Sequence, residues 1–134
     1  MEKETVLQQK RRLNQSKKMY ERYGEEVIKY MWSVHKFLLN KFGYISDEWF
    51  LSLQMLADNL NMFFKCRDQI AEDGIYVKNK FENLDKHPLI KVQNDAQIQI
   101  IKLLNEFGLS PKSVARLKIE ENEEDDLLND LLND

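Results

Sequence analysis

The sequence has one cysteine, Cys66, so no disulfide within a single chain can substitute for a hydrophobic core. Glycine and proline are nearly as scarce, with four and two residues, which argues against turn-rich all-β folds. No apolar run approaches the roughly 20 residues that a membrane-spanning helix needs. The opening MEKETVLQQKRR lacks the apolar centre of a secretory signal, and together with the lone thiol this fits a reducing cytoplasm. Neither GxxxxGK[ST] nor GxGxxG occurs, so nucleotide binding has no support. His35, His87 and Cys66 stand apart without ligand spacing, so no metal or other cofactor is expected and the chain reads as non-catalytic. His35 reads as a helix-flank residue, His87 as a loop residue, and Cys66 as an unreactive thiol despite Lys65 and Arg67 beside it.

Basic residues are missing from 119–134, which hold eight acids. The rest of the 134-residue chain carries 20 bases against 15 acids, so the net charge of −3 conceals a basic body and an acidic tail. That layout recurs in nucleic-acid binders that hand their ligand on. The length suits one domain with tails. Residues 1–24 are expected to form a basic N-terminal arm, 25–118 a helical domain, and 119–134 an acidic tail with a partner-docking helix.

What is abundant is helical periodicity. In the arm, Lys3, Lys10, Arg11, Arg12, Lys17, Lys18 and Arg22 outnumber the acids, and apolar content is thin. The arm is expected to lack a buried face, being either disordered until it meets a partner or a solubilising helical extension. From Glu25 to Phe42, Val27, Met31, Val34 and Leu38 make one apolar row and Ile28, Trp32, Leu39 and Phe42 the next, with Gly43 as the stop. A second helix is predicted from Ser46 as N-cap to about residue 72, ended by Gly74. It is more apolar than one neighbouring helix can cover. The surplus, with Trp49, Leu53, Leu56, Phe63 and Phe64 as the expected contacts, is assigned to another subunit. Ile75-Tyr76-Val77 reads as a short strand before a polar loop.

The segment HPLIKVQNDAQIQIIKLLNEFGLSPKSVARLK predicts a third helix opened by Pro88 and closed by Gly108, then a short helix begun by Ser110-Pro111. Two helices joined at a glycine look like a helix-turn-helix, which makes DNA the first partner to consider. The tail ends in LLND twice. If helical, it aligns Leu127, Leu128, Leu131 and Leu132 as a docking face; a disordered acidic tail is the alternative for the free protein. The fold class is therefore mainly α, with a central antiparallel helix pair and a helix-turn-helix-like C-terminal part.

LADNLNMFFKCRDQIAEDGIYV followed by HPLIKVQNDAQIQIIKLLNEFGLSPKSVARL resembles the small subunit of tailed-bacteriophage terminases. The resemblance is strongest over 56–117 and leaves residues 1–44 and the tail outside. It rests on Asp73-Gly74, on His87-Pro88 with the following Asn94-Asp95-Ala96, and on Phe107 to Pro111 followed by Arg116-Leu117. The polar insert 78–86 departs from the tighter turn of relatives. The resemblance implies a non-enzymatic, ring-forming subunit in the host bacterial cytoplasm. Its partners would be double-stranded viral DNA at the packaging start and the large subunit, which carries the ATPase and nuclease. The leucines of the tail would then dock on the large subunit. Candidate phosphate contacts are Lys10, Arg11, Arg12, Lys17, Lys18 and Arg22 in the arm, which is preferred, and Lys112, Arg116 and Lys118 in the short helix. A dimeric helix-turn-helix transcriptional regulator is the alternative, and a protein-binding adaptor a third class.

Overall fold

A computed structural model describes residues 4–109. Thr5 begins α1 (Val6–Tyr20) with a capping box. Its hydroxyl accepts the Gln8 backbone N–H at 3.2 Å, and the Gln8 side-chain oxygen accepts the Thr5 N–H at 2.9 Å. The arm is thus a capped helix with a buried side, which corrects the expectation that it buries nothing. Arg12, Ser16 and Tyr20, spaced four apart, form that side.

Helix α2 (Glu25–Phe42) matches the range predicted from its periodicity. It ends at Gly43, whose φ of +80° is left-handed and whose N–H reaches the Leu39 carbonyl at 2.8 Å. A 3-10 turn over Asp47–Trp49 precedes α3 (Phe50–Asp73). The Ser46 hydroxyl therefore donates to the Glu48 carboxylate and does not cap the helix. Arg67, late in α3, makes a bidentate pair at 2.8 and 2.9 Å with Glu26 in the first turn of α2, so the two helices run antiparallel. Between them lie Val27, Met31, Val34, Leu38, Leu53, Leu56, Ala57 and Leu60, all buried. Each large side chain here contributes about 1.5–3 kcal/mol of burial.

Beyond α3, the segment predicted as one strand and a polar loop is a two-stranded antiparallel hairpin, β1 (Tyr76–Lys78) and β2 (Leu84–Lys86). Asn79 shapes its turn, its side-chain oxygen accepting the backbone N–H groups of Phe81 at 2.8 Å and Asn83 at 3.1 Å. This local amide chemistry let a polar stretch form a ribbon. His87 then joins three elements. Its Nε2 donates to Asp73 at the end of α3 (2.9 Å), and its Nδ1 accepts the N–H of Leu89, the first residue of α4 (Leu89–Glu106), at 3.1 Å. Its backbone N–H bonds the Ile75 carbonyl. His87 lies in the connection between β2 and α4, as its reading as a loop residue expects, and it is buried there as a structural link. Hydrogen bonds from Gln69 and then His87 hold the Asp73 carboxyl below the usual range.

The chain divides into two compact units, Met1–Ile100 and Ile101–Asp134, with the boundary inside α4. At the end of α4, Gly108 (φ +74°) donates to Asn105 at 3.1 Å and Leu109 to Leu104 at 2.8 Å, the paired bonds of a Schellman stop. The expected short helix after Gly108, and with it the helix-turn-helix-like part, lies outside the described residues. No helix among the described residues is long and apolar enough to cross a membrane.

Two polar contacts dock α1. Arg12 Nε donates to Glu4 at 3.0 Å with both side chains buried, and the other Glu4 oxygen accepts the Ile45 N–H at 3.2 Å. The Tyr20 hydroxyl donates to His35 Nε2 at 2.7 Å, with Trp32 edge-on to the Tyr20 ring. His35 is therefore a buried inter-helix partner, not a helix-flank residue. Burial first, and the Arg12 charge second, lower its pKa to about 4.

Glu4→Gln and Arg12→Gln should each cost about 3 kcal/mol in urea unfolding, because each leaves a buried charge unpaired. The double variant should cost clearly less than the sum, and strict additivity would refute the pair. His35 binds its proton less readily in the folded chain than in the unfolded one. Stability should therefore fall as pH drops from about 6.5 to about 4, by roughly 3 kcal/mol in all, and His35 should add no further dependence below that window. His35→Gln should flatten the unfolding midpoint across this window. An unchanged slope would contradict the assignment.

Candidate nucleic-acid interface

Helix α1 (Val6–Tyr20) contains five cations and no acid. At 100° per residue, Lys10, Arg11, Asn14, Lys17 and Lys18 fall within an arc of about 120°. Arg12, Ser16 and Tyr20 occupy the opposite side. The four cations of the arc are exposed, and none of the ion pairs among the described residues uses them. Docking of the buried side against α2 thus turns a row of positive charge to solvent.

The structure separates the six arm residues predicted to contact phosphate. Lys10, Arg11, Lys17 and Lys18 share the outward face. Arg12 is withdrawn from that role, because its guanidinium is buried against Glu4 and cannot reach a phosphate without breaking the dock. Arg22 lies past the helix end and is engaged by Asp58 at 2.9 Å and by the Tyr23 hydroxyl at 2.7 Å. Tyr23 also bonds Asp58, so the three side chains form one polar cluster. Lys112, Arg116 and Lys118 lie outside the described residues, as do Leu127, Leu128, Leu131 and Leu132.

The apolar residues assigned to another subunit also divide. Leu53 and Leu56 are 0% exposed, so they are core residues of this chain, which corrects their assignment as subunit contacts. Trp49 is half-buried between Phe42 and Tyr44, stacked on the latter at 5.5 Å. Phe63 and Phe64 are half-buried and edge-on to each other, with the Arg67 guanidinium 4.9 Å above the Phe64 ring. The outward apolar side of α3 is instead Leu51, Met55 and Met62, all exposed. Met62 and Asn59 form one wall of an open cleft whose other wall is Val92, Asp95, Ala96, Ile98 and Gln99 of α4.

Sequence reasoning missed Glu4 and its pairing with Arg12. The available signal was the four-residue spacing of Arg12, Ser16 and Tyr20 opposite cations spaced seven apart. Cys66 is buried and its thiol is pushed up by burial, which is the environment of an unreactive side chain. Among the described residues, no group of three or more His, Cys, Asp or Glu is placed to hold a metal ion.

Comparison with protein families finds a match to "Phage terminase, small subunit" over residues 29–124. The match takes in most of α2 and all of α3, the hairpin and α4, beginning earlier in the chain than the resemblance read from the sequence, while α1 lies outside it. Neither curated proteins nor solved structures give a match. Because well over half of the chain is matched, and the matched part is built mainly of helices, the chain belongs to the phage terminase small subunit family, whose general role is in phage DNA packaging.

Proposed function

We propose that this chain is the non-catalytic, DNA-binding subunit of a packaging complex in the host bacterial cytoplasm. It binds double-stranded viral DNA at the packaging start, assembles with further copies, and delivers the DNA to the large subunit, which supplies ATPase and nuclease chemistry. The observation that carries the DNA reading is the acid-free outward face of α1, with Lys10, Arg11, Lys17 and Lys18 all exposed. Lys10 and Lys17 are separated by about 10 Å along the helix, a spacing that lets successive cations follow a phosphate backbone. Such contacts act mainly by counterion release and carry little sequence information.

Assembly into a ring multiplies weak contacts. Several copies of one basic face on a single duplex raise affinity through effective concentration, without a strong individual site. The exposed Leu51, Met55 and Met62 on α3 are the surface best suited to bury against a second copy, since solvent gains nothing from them and the core does not use them. The acidic LLND tail, with Leu127, Leu128, Leu131 and Leu132, remains the segment proposed to dock on the large subunit.

Replacing Lys10, Arg11, Lys17 and Lys18 with Gln should flatten the plot of log affinity for a duplex against log salt by about 3–4 per chain in contact. Equal slopes for wild type and the four-residue variant would overturn the role of α1. Deleting Leu127–Asp134 should leave native mass and duplex affinity unchanged while abolishing co-purification with the large subunit. Normal co-purification would remove the docking role of the tail.

A further inference from the structure

The hairpin has no assigned task, yet it is built with care and exposes more apolar surface than its size warrants. Phe81 is 72% exposed, Leu84 70% and Tyr76 61%. The register pairs Tyr76 with Lys86 and Lys78 with Leu84, so these four side chains share one face of the ribbon. The other face carries the Val77 and Asp85 pair. Asp85 accepts a bond from the Asn79 side chain, so the one acid within the strands is turned to supporting the turn. The face with Tyr76, Lys78, Leu84 and Lys86 therefore has no carboxylate. Lys80 follows at the turn, 5.1 Å above the Phe81 ring. None of the ion pairs among the described residues uses Lys78, Lys80 or Lys86.

The ribbon is also preorganised. Asn79 gathers the N–H groups of Phe81 and Asn83, Glu82 takes a φ of +62°, and Glu82 N–H bonds the Asn79 carbonyl at 3.0 Å. His87 clamps the base of the ribbon to Ile75 and to Asp73. The tip therefore holds Phe81 in solvent in a fixed position, at the cost of a non-glycine residue with positive φ.

We propose that this hairpin is a second duplex-DNA contact, with Lys78, Lys80 and Lys86 on phosphates and Phe81 as an apolar wedge against the bases. It rests on the reading of DNA as the ligand, and not on the contacts made by α1. A two-stranded ribbon fits a groove of B-form DNA, and apolar side chains inserted between base steps are a recurring device of groove binders. Charge complementarity decides for DNA over a second copy of this chain. Three unpaired lysines on or beside the acid-free strand face, against the one exposed carboxylate of Glu82 at the tip, match a polyanion, whereas interfaces between protein copies are depleted in lysine.

The test uses the full chain, a random-sequence duplex of about 30 base pairs and anisotropy titrations at several salt concentrations. Lys78→Gln/Lys80→Gln/Lys86→Gln should bind at least tenfold more weakly, with a slope shallower by about 2–3 per chain in contact. Phe81→Ala should weaken binding several-fold with the slope kept, and the triple Arg variant should bind like wild type. Helix content and native mass should stay unchanged throughout. Wild-type affinity and slope in both the Gln and the Phe81→Ala variants would overturn the hairpin contact alone. A fall in native mass with unchanged affinity would do the same and make the ribbon a contact between copies. Failure of wild type to bind the duplex would overturn the underlying DNA reading together with this proposal.

Discussion

The Glu4–Arg12 pair decides what the first twenty residues can do. It joins the N-terminal end of α1 to the turn after α2, because one Glu4 carboxylate oxygen holds Arg12 and the other holds the Ile45 N–H. Taking two charges out of water is expensive, and such pairs are retained where they fix one arrangement among several. Here the arrangement fixed is the rotation of α1 about its own axis. With Arg12, Ser16 and Tyr20 inward, Lys10, Arg11, Lys17 and Lys18 are outward by helical geometry. The second anchor, Tyr20 to His35, is made with His35 neutral above about pH 4, because burial first and the Arg12 charge second disfavour its protonation. The same interface leaves Ser16 Oγ and His35 Nδ1 buried without a hydrogen-bond partner among the described residues. Unpaired groups of that kind each subtract about 1–3 kcal/mol, so the dock of α1 is weaker than the apolar packing of α2 on α3.

Most of the helical frame was legible in the chain. Glycine marked where helices stop: Gly43, Gly74 and Gly108 all have positive φ, and each follows a run of helical period. The limits of α2, α4 and the end of α3 followed from that. Two kinds of structure escaped. Of the hairpin only the first strand is legible, at Ile75-Tyr76-Val77; β2 falls in the polar loop because its pairing depends on the Asn79 side chain bonding two backbone N–H groups, which leaves no hydrophobic period. The docking of α1 escaped because its buried side is an arginine, a serine and a tyrosine, and residue polarity reports burial only when partners are known.

The misassigned subunit contacts have a separate cause. A helix apolar on two sides does not say which side meets its own chain. Leu53 and Leu56 are no more hydrophobic than Leu51, and only the packing of α2 against α3 makes the former core and leaves the latter in solvent. Among the basic candidates the same ambiguity held: Arg11 and Arg12 are adjacent and chemically identical, yet one faces water and the other a carboxylate. Composition located the positive charge, and only rotation about the helix axis divided it into structural and solvent-facing parts.

Amide hydrogen exchange across residues 9–20 of the free protein tests this account most directly, since everything proposed for the basic face depends on α1 being docked before any ligand arrives. Measurable protection of these amides is expected without DNA, below that of α3 but well above an unfolded chain, with loss of that protection in Glu4→Gln. Exchange at unfolded-chain rates until a duplex is added would contradict it, and would return the segment to an arm that folds only on contact.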